Sequence, residues 1–146
     1  MPKRSAGILL YRRTPVLEVL LAHPGGPLHA RKDVWTIPKG EYDETEEPLT
    51  AALREYAEEI GHAPPSGHPL PLGEITQKSG KRVFAWALEG DLDVTTVRSN
   101  TFTMTWAGRE QTFPEIDRAS WFDLGAARLK IMPAQEPFLT RLEAAL

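Results

Sequence analysis

The segment 40–61 constrains the fold more than any other part of the chain. Its apolar side chains recur at helical spacing, at Leu49, Ala52, Leu53, Tyr56 and Ile60. This spacing puts them on one face of a helix, which must pack against a core. Glu46 and Glu47 precede the stripe and favour the positive end of the helix dipole, and a glycine follows it as a stop signal. The segment therefore predicts an amphipathic helix of about three to four turns.

Short runs of aliphatic, aromatic and threonine residues on both sides of this helix predict β-strands. They lie at 6–11, 16–22, 72–76, 83–88, 101–106 and 119–122. Proline and glycine clusters predict breaks at 23–28, 38–40 and 63–71. An apolar stripe behind Pro133 predicts a final helix at 134–146. The order of these elements predicts one α/β domain over 1–146, with a mixed sheet between helices.

The same segment concentrates the negative charge. It holds eight carboxylates and one arginine, a formal charge of −7, whereas the whole chain carries only −3. This net charge argues against a general nucleic-acid binder, and no apolar run reaches the roughly 18 residues of a membrane helix. The chain has no cysteine, which excludes a disulfide framework and fits a reducing compartment. We expect a cytoplasmic protein that binds neither nucleic acid nor membranes.

Three of the carboxylates share one face of the predicted helix. Glu55, Glu58 and Glu59 are spaced i, i+3 and i+4, away from the apolar stripe. Such like charges repel each other unless a cation neutralises them. Oxygen ligands favour hard divalent ions, with Mg²⁺ first and Mn²⁺ second. The alternative for three glutamates alone is a solvated acidic face.

The spacing of the whole segment favours the metal site. Seven positions carry it: Gly40, five residues, Glu46, seven residues, Arg54 and Glu55, two residues, Glu58 and Glu59, one residue, and Gly61. This pattern over 40–62 resembles the Nudix box, and the chain is similar to the Nudix hydrolases. The resemblance implies an α/β/α sandwich. Tyr56 and His62 stand where that family usually has aliphatic residues, and neither position is a carboxylate.

The resemblance also implies a reaction. Nudix hydrolases cleave a nucleoside diphosphate linked to another moiety, by metal-assisted attack of water on phosphorus. Carried over to this chain, Glu58 and Glu59 are metal ligands, Glu55 is a ligand or the general base, and Lys39 offers its backbone carbonyl as a ligand. Arg54 would orient Glu55.

Further similarity lies outside the box. The run WTIPKGE at 35–41, followed by the box, is similar to the diadenosine polyphosphate hydrolases and the diphosphoinositol polyphosphate hydrolases. The tail of the chain is similar to the diadenosine tetraphosphate group through Glu115, Trp121, Ala126, Ala127 and Gln135. In that group a glutamate outside the helix adds a ligand or a base, which makes Glu115 the candidate here and Glu110 the reserve. Glu46 would brace the loop through a hydrogen bond or an ion pair. The plain alternatives are a loop glutamate and an ordinary surface pair.

Basic and aromatic residues are candidates for binding the substrate. Lys78, Lys81 and Arg82 surround a predicted turn and, with Lys39, could receive phosphates that the metal does not cover. The alternative is a solvated hairpin turn. Four aromatic residues could stack on a base, although core packing is the more common role: Trp35, Phe84, Trp86 and Trp106. The four histidines lack zinc-site spacing and are assigned to loops or solvent: His23, His29, His62 and His68.

Together these features predict a Mg²⁺-dependent pyrophosphohydrolase, with Mn²⁺ as a possible substitute. Its substrate would be a small nucleoside polyphosphate, such as a dinucleoside polyphosphate or a nucleoside triphosphate. Two alternatives remain open, a diphosphoinositol polyphosphate phosphohydrolase and a non-catalytic nucleotide-sensing module. The sequence leaves open whether the protein is a monomer or a homodimer.

Overall fold

The computed structural model describes residues 3–146, which form eight strands and three α-helices. The strands are β1 (Arg4–Arg13), β2 (Leu17–Pro24), β3 (Lys39–Glu41), β4 (Leu70–Thr76), β5 (Arg82–Glu89), β6 (Thr101–Trp106), β7 (Arg109–Pro114) and β8 (Ile116–Asp123). The helices are α1 (Pro48–Ile60), α2 (Leu124–Lys130) and α3 (Glu136–Ala145). In this part of the chain no helix is long and apolar enough to cross a membrane.

Strand β1 organises the main sheet. The strand order is β4-β5-β1-β2-β8, and β3 also pairs with β1. Strands β1 and β5 are parallel, whereas the other pairs are antiparallel. The second edge of β1 is shared, because β2 pairs with 11–13 and β3 pairs with 5–7. Strands β6 and β7 form a separate two-stranded hairpin.

The sheet lies between helices, as predicted. Alternate side chains of β1 point to opposite faces. One set, including Ile8 and Leu10, packs with Tyr56 and Ile60 of α1. The other set, including Leu9, packs with residues of α2 and α3. The chain is therefore an α/β/α sandwich with a mixed sheet.

Helix α1 follows the predicted apolar stripe. Tyr56 is 1% exposed, so its ring fills a core position. Gly61 ends the helix in a left-handed conformation with φ of 83°, and its N–H bonds the carbonyl of Ala57. The predicted dipole role of Glu46 and Glu47 is wrong: the first turn contains no acidic residue and Glu47 makes no side-chain cap bond.

Three elements differ from the sequence predictions. Strand β3 occupies 39–41 and overlaps the predicted break at 38–40, because the free edge of β1 supplies its partner. Strand β7 was not predicted, since its polar sequence forms a strand only by pairing with β6. Helix α2 was missed although Asp123 carries a capping signal, accepting a bond from the Ala126 N–H.

Gln135 ties the segment before β3 to the segment before α3. It is fully buried, and its carbonyl oxygen accepts the Ile37 N–H at 3.0 Å while its amide donates to Thr36 Oγ1 at 2.9 Å. Replacing Gln135 by methionine keeps the shape but leaves the Ile37 N–H without a partner. We expect a loss of about 1–3 kcal/mol in the free energy of unfolding, measured by urea denaturation.

The matched control for this substitution is Gln111→Met in the β6–β7 hairpin, where Gln111 is half-buried and its amide donates to the Trp106 carbonyl at 2.8 Å in an exposed contact. It is expected to change stability by less than about 0.5 kcal/mol. Equal effects of the two substitutions would show that the buried bonds of Gln135 contribute nothing.

Candidate active site

A cavity of about 590 Å³ lies where β3 meets α1. Helix α1 contributes Glu55, Glu58 and Glu59 to its lining, and Lys39 and Lys81 contribute positive charge. Together with Glu115, which also lines the cavity, six of the residues predicted from sequence to act on substrate or metal are brought to one place. The cavity has the mixed charge expected of a site for a metal and a polyphosphate.

Arg54 connects three of the acidic side chains. Its guanidinium holds Glu46 through two bonds of 2.8 Å, and its Nη1 donates to Glu55 Oε1 at 2.8 Å. The same nitrogen lies 3.1 Å from Glu58 Oε2. The bond from Arg54 lowers the pKa of Glu46. Glu46 thus makes the kind of bond that was predicted for it, and its partner Arg54 has its guanidinium oriented toward Glu55 and Glu58.

Glu59 contacts the backbone of β3. Its carboxylate accepts the Lys39 N–H at 3.1 Å, and burial raises the pKa of Glu59 to about 8. The N–H and C=O of one strand residue point to the same edge. We therefore expect the carbonyl of Lys39 to point away from β1, toward the side of β3 on which Glu59 lies.

Burial also shifts the pKa values of Glu55 and Lys39, which line the cavity together with Glu59. It is the largest cause that raises the pKa of Glu55 and the largest that lowers the pKa of Lys39, where Lys81 adds repulsion. Removing charged groups from water is unfavourable unless they are paired. The fold thus holds charged groups together at a cost in stability, which is typical of a functional site.

Gly40 allows Glu55 to approach the backbone of β3. A Cβ atom built on Gly40 would lie 1.9 Å from Glu55 Oε2 and 2.0 Å from its carboxyl carbon. No side chain fits in that space. The glycine at the start of the acidic segment is therefore needed for a close approach between strand and carboxylate.

The donor set fits a hard divalent cation in its chemistry. Glu55, Glu58, Glu59 and the Lys39 carbonyl offer only oxygen atoms, which Mg²⁺ and Mn²⁺ prefer. Within residues 3–146, however, no three acidic, histidine or cysteine side chains converge as a ready-made metal cluster. Arg54 instead serves as the counter-charge of Glu55 and Glu58.

Glu115 lies at the same cavity, although it is 60 residues beyond Glu55 in sequence. The residue is held by its backbone, because its N–H bonds the Asn100 carbonyl at 2.8 Å and its carbonyl accepts the Gly25 N–H at 2.9 Å. Glu110, the reserve candidate, lies in β7 and is not part of the lining. The structure thus favours Glu115 as the glutamate outside the helix.

Only one of the three basic residues of the predicted cationic turn reaches the cavity. Lys81 lines the cavity, and its Nζ lies 3.0 Å from Glu41 Oε2. Lys78 is exposed in the turn, and the Arg82 guanidinium lies 3.7 Å from Glu74. Neither Lys78 nor Arg82 belongs to the lining, because consecutive residues near a strand point in different directions.

Several lining residues were not predicted from sequence as site residues. Among them are Ser5, His29, Asn100, Ile116 and Met132. They come from separate elements and carry no spacing signal, so only folding brings them together. Of the four aromatic candidates for stacking, Trp35 alone belongs to the described lining.

His23 corrects the expectation that all four histidines lie in loops or solvent. It lies in β2 with no exposed surface. Its Nδ1 is 2.8 Å from Asp117 Oδ1 and its Nε2 is 2.5 Å from the Lys32 carbonyl oxygen. Because Lys32 lines the cavity, His23 fixes one wall of the site from inside the fold.

A family model of the NUDIX domain matches residues 1–142, which is almost the whole chain. The chain therefore belongs to the Nudix family, in agreement with the fold, the acidic helix and the cavity.

Individual relatives agree with this assignment. RNA pyrophosphohydrolase of Rhodospirillum rubrum is 27% identical, over 99% of this chain and 92% of its own length. The 8-oxo-(d)GTP phosphatase of Mycolicibacterium smegmatis is 36% identical over 58% of this chain, which spans only 28% of that protein. An Ap4A hydrolase of C. elegans, solved as a binary complex, shares the fold with a TM-score of 0.69 and 23% sequence identity. The match covers 97% of this chain and 96% of that one. The chain is accordingly a Nudix hydrolase.

Proposed function

We propose that the protein is a Mg²⁺-dependent pyrophosphohydrolase that cleaves a phosphoanhydride of a nucleoside polyphosphate. A dinucleoside polyphosphate or a nucleoside triphosphate is the favoured substrate. The observation that carries the proposal is one cavity that joins three helix carboxylates to two lysines. The sequence relatives named above, which by their names act on 8-oxo-(d)GTP and on RNA, support the substrate class.

The residues divide the chemistry between them. Glu58, Glu59 and the Lys39 carbonyl would hold the metal, and a bound divalent ion would activate water and spread phosphate charge. Glu55 is positioned by Arg54 at 2.8 Å, and its raised pKa suits a group that takes a proton from water. Glu115 is the second candidate for base or ligand.

A substrate panel tests the proposal. Purified protein would be incubated with Mg²⁺ or Mn²⁺ and with diadenosine tetraphosphate, nucleoside triphosphates including 8-oxo-dGTP, a diphosphoinositol polyphosphate and a 5′-triphosphorylated RNA. We expect turnover of a mononucleotide or dinucleotide polyphosphate, with release of nucleotide products measured by chromatography. The Glu58→Gln, Glu59→Gln double variant is the negative control.

The outcomes separate the alternatives. Turnover restricted to the inositol compound would replace the proposed substrate, and turnover restricted to RNA would overturn the expectation that nucleic acid is not bound. A melting shift with nucleotide but no turnover of any compound would favour the sensing module. Residence in the cytoplasm is part of the proposal, and the absence of cysteine supports it.

A further inference from the structure

The hairpin of β6 and β7 stands apart from the sandwich. Neither of the two apolar cores in the described part of the chain includes a side chain from 101–114. The hairpin contacts the body at its base, where the Phe102 ring lies close to Gly26 and the Pro114 carbonyl lies close to Gly25. A two-stranded hairpin is only marginally stable unless further strands or a helix pack on it. Another strand at one of its edges would therefore stabilise it.

The turn of the hairpin decides which backbone groups of β6 are free. Ala107 and Gly108 have φ of 55° and 80°, as in a type I′ turn, which closes on a hydrogen-bonded pair of Trp106 and Arg109. Hydrogen-bonded and non-hydrogen-bonded pairs alternate along antiparallel strands. The N–H and C=O groups of residues 101, 103 and 105 therefore point away from β7. No backbone group elsewhere in residues 3–146 bonds them.

The two edges of the hairpin differ in their protection. Strand β6 has the sequence TFTMTW, without a charged residue, a proline or a glycine. Strand β7 carries Arg109, Glu110 and Pro114. Charges and prolines on edge strands prevent pairing with another chain. Strand β7 has this protection and β6 lacks it, so β6 is the edge at which a further strand can be added.

A second copy of the chain fits this edge without like-charge repulsion. At a two-fold axis a strand meets its own sequence, so charges in it would meet charges of the same sign. Strand β6 has none, and the hairpin 101–114 is neutral with one arginine and one glutamate, whereas the whole chain carries −3. The free groups of an antiparallel edge are also self-complementary, because each strand offers both donors and acceptors.

The side chains of β6 indicate the register of such a pair. Phe102, Met104 and Trp106 alternate with threonines and share one face, and Trp106 is 41% exposed. With Met104 opposite the same residue of a second copy, Phe102 of each copy lies opposite Trp106 of the other. The free backbone groups of Thr103 then face those of Thr105. Because apolar matching sets strand register, this arrangement is favoured and covers the exposed ring of Trp106.

We propose that the protein forms a two-fold homodimer through antiparallel pairing of β6 with β6 of a second copy, centred on Met104. The two hairpins join into a four-stranded sheet. A contact between two six-residue strands is smaller than a standard interface of about 1,600 Å², so we expect a Kd on the order of 1–100 µM. The inference concerns assembly and does not depend on the proposed function.

A single-cysteine variant tests both the pairing and its register, because the chain has no cysteine of its own. In Met104→Cys the two new side chains would face each other in a non-hydrogen-bonded pair, with Cα atoms about 4.5 Å apart, which fits a disulfide. We expect a covalent dimer after mild oxidation, measured on a non-reducing gel. Thr112→Cys, at an exposed position of β7, is the matched control and should remain monomeric on the gel.

Analytical ultracentrifugation tests the dimer without a crosslink. Between about 1 and 100 µM we expect the wild type to change from monomer to dimer. Met104→Lys places two positive charges opposite each other at the axis and should keep the protein monomeric throughout this range. Leu129→Lys, at a side chain of α2 that is 85% exposed, is the control and should dimerise as the wild type does.

Three outcomes would contradict the proposal. A wild-type monomer at all concentrations, with equal crosslinking of Met104→Cys and Thr112→Cys, would overturn the dimer. A dimer that persists in Met104→Lys would show that the contact lies on another surface. Crosslinking of Thr103→Cys in preference to Met104→Cys would overturn the register centred on Met104. None of these measurements involves turnover of a substrate, so their outcome is separate from that of the substrate panel.

Discussion

Replacing Glu59 by glutamine is expected to lower kcat/KM by about 10³-fold or more. In the proposed function Glu59 is a metal ligand; such a ligand contributes several kcal/mol to the stability of the transition state, and each 1.36 kcal/mol is a factor of ten in rate. Glutamine keeps the side-chain shape but removes the negative charge that a divalent cation needs. The residue also contacts the Lys39 N–H, a bond that the amide oxygen of glutamine can still accept.

The same substitution is expected to leave the melting temperature in EDTA unchanged or raised. Burial penalises the charge of Glu59, as its raised pKa of about 8 shows, and the amide does not carry that penalty. Calorimetry and steady-state kinetics on the same preparation measure both effects. Activity lost together with a melting temperature lowered by several degrees would contradict this account, since unfolding would then explain the loss.

Glu44→Gln is the matched control for Glu59→Gln. Glu44 belongs to the same acidic segment but is exposed and lies outside the lining of the 590 Å³ cavity. The Glu44→Gln substitution removes one negative charge from the same region of the chain. We expect near wild-type kcat/KM, so a large effect there would show that overall charge rather than a specific ligand governs activity.

Replacing Gly40 by alanine is expected to lower kcat/KM by about 10²-fold, the typical cost of misplacing a reacting group by an ångström. The added methyl would lie 1.9 Å from Glu55 Oε2, so the carboxylate must move. The Glu55 carboxylate is the end of a flexible side chain, and moving it costs less stability than a clash with the backbone would. The melting temperature should therefore fall by only a few degrees.

Gly67→Ala serves as the control for Gly40→Ala. At that position the nearest atom to a new Cβ is Leu88 Cδ1 at 3.4 Å, an ordinary contact. We expect no change in kcat/KM and little change in stability. If Gly40→Ala retained full activity, Glu55 would have no role that depends on its present position.

The parts of the site that could be predicted from sequence lie within one helix and its flanks. Periodicity alone places Tyr56 in the core and Glu55, Glu58 and Glu59 on another face, because helix geometry converts spacing into direction. A bracing hydrogen bond or ion pair of Glu46 was also predicted, and the structure gives Arg54 of the same short segment as its partner. Local interactions decide these features, so local sequence carries them.

The errors occur where a distant partner decides the structure. A break was predicted at 38–40, yet residues 39–41 form β3 because the edge of β1 lies beside them. His23 was expected in a loop or in solvent, but its bonds to Asp117 and Lys32 hold it inside the fold. In both cases the partner is too far along the chain for spacing or propensity to reveal it.

The acidic segment determined the family, the fold class and the carboxylates of the site, because a helix of fixed pitch orients residues that are close in sequence. Only the tertiary structure decided which cations face them. It brought Lys81 to the cavity and left Lys78 and Arg82 outside it, and it placed the Ser5 hydroxyl in the same wall. Those positions depend on the pairing of β1 with β3 and β5, and strand register between distant segments is set by the packing of the whole sheet.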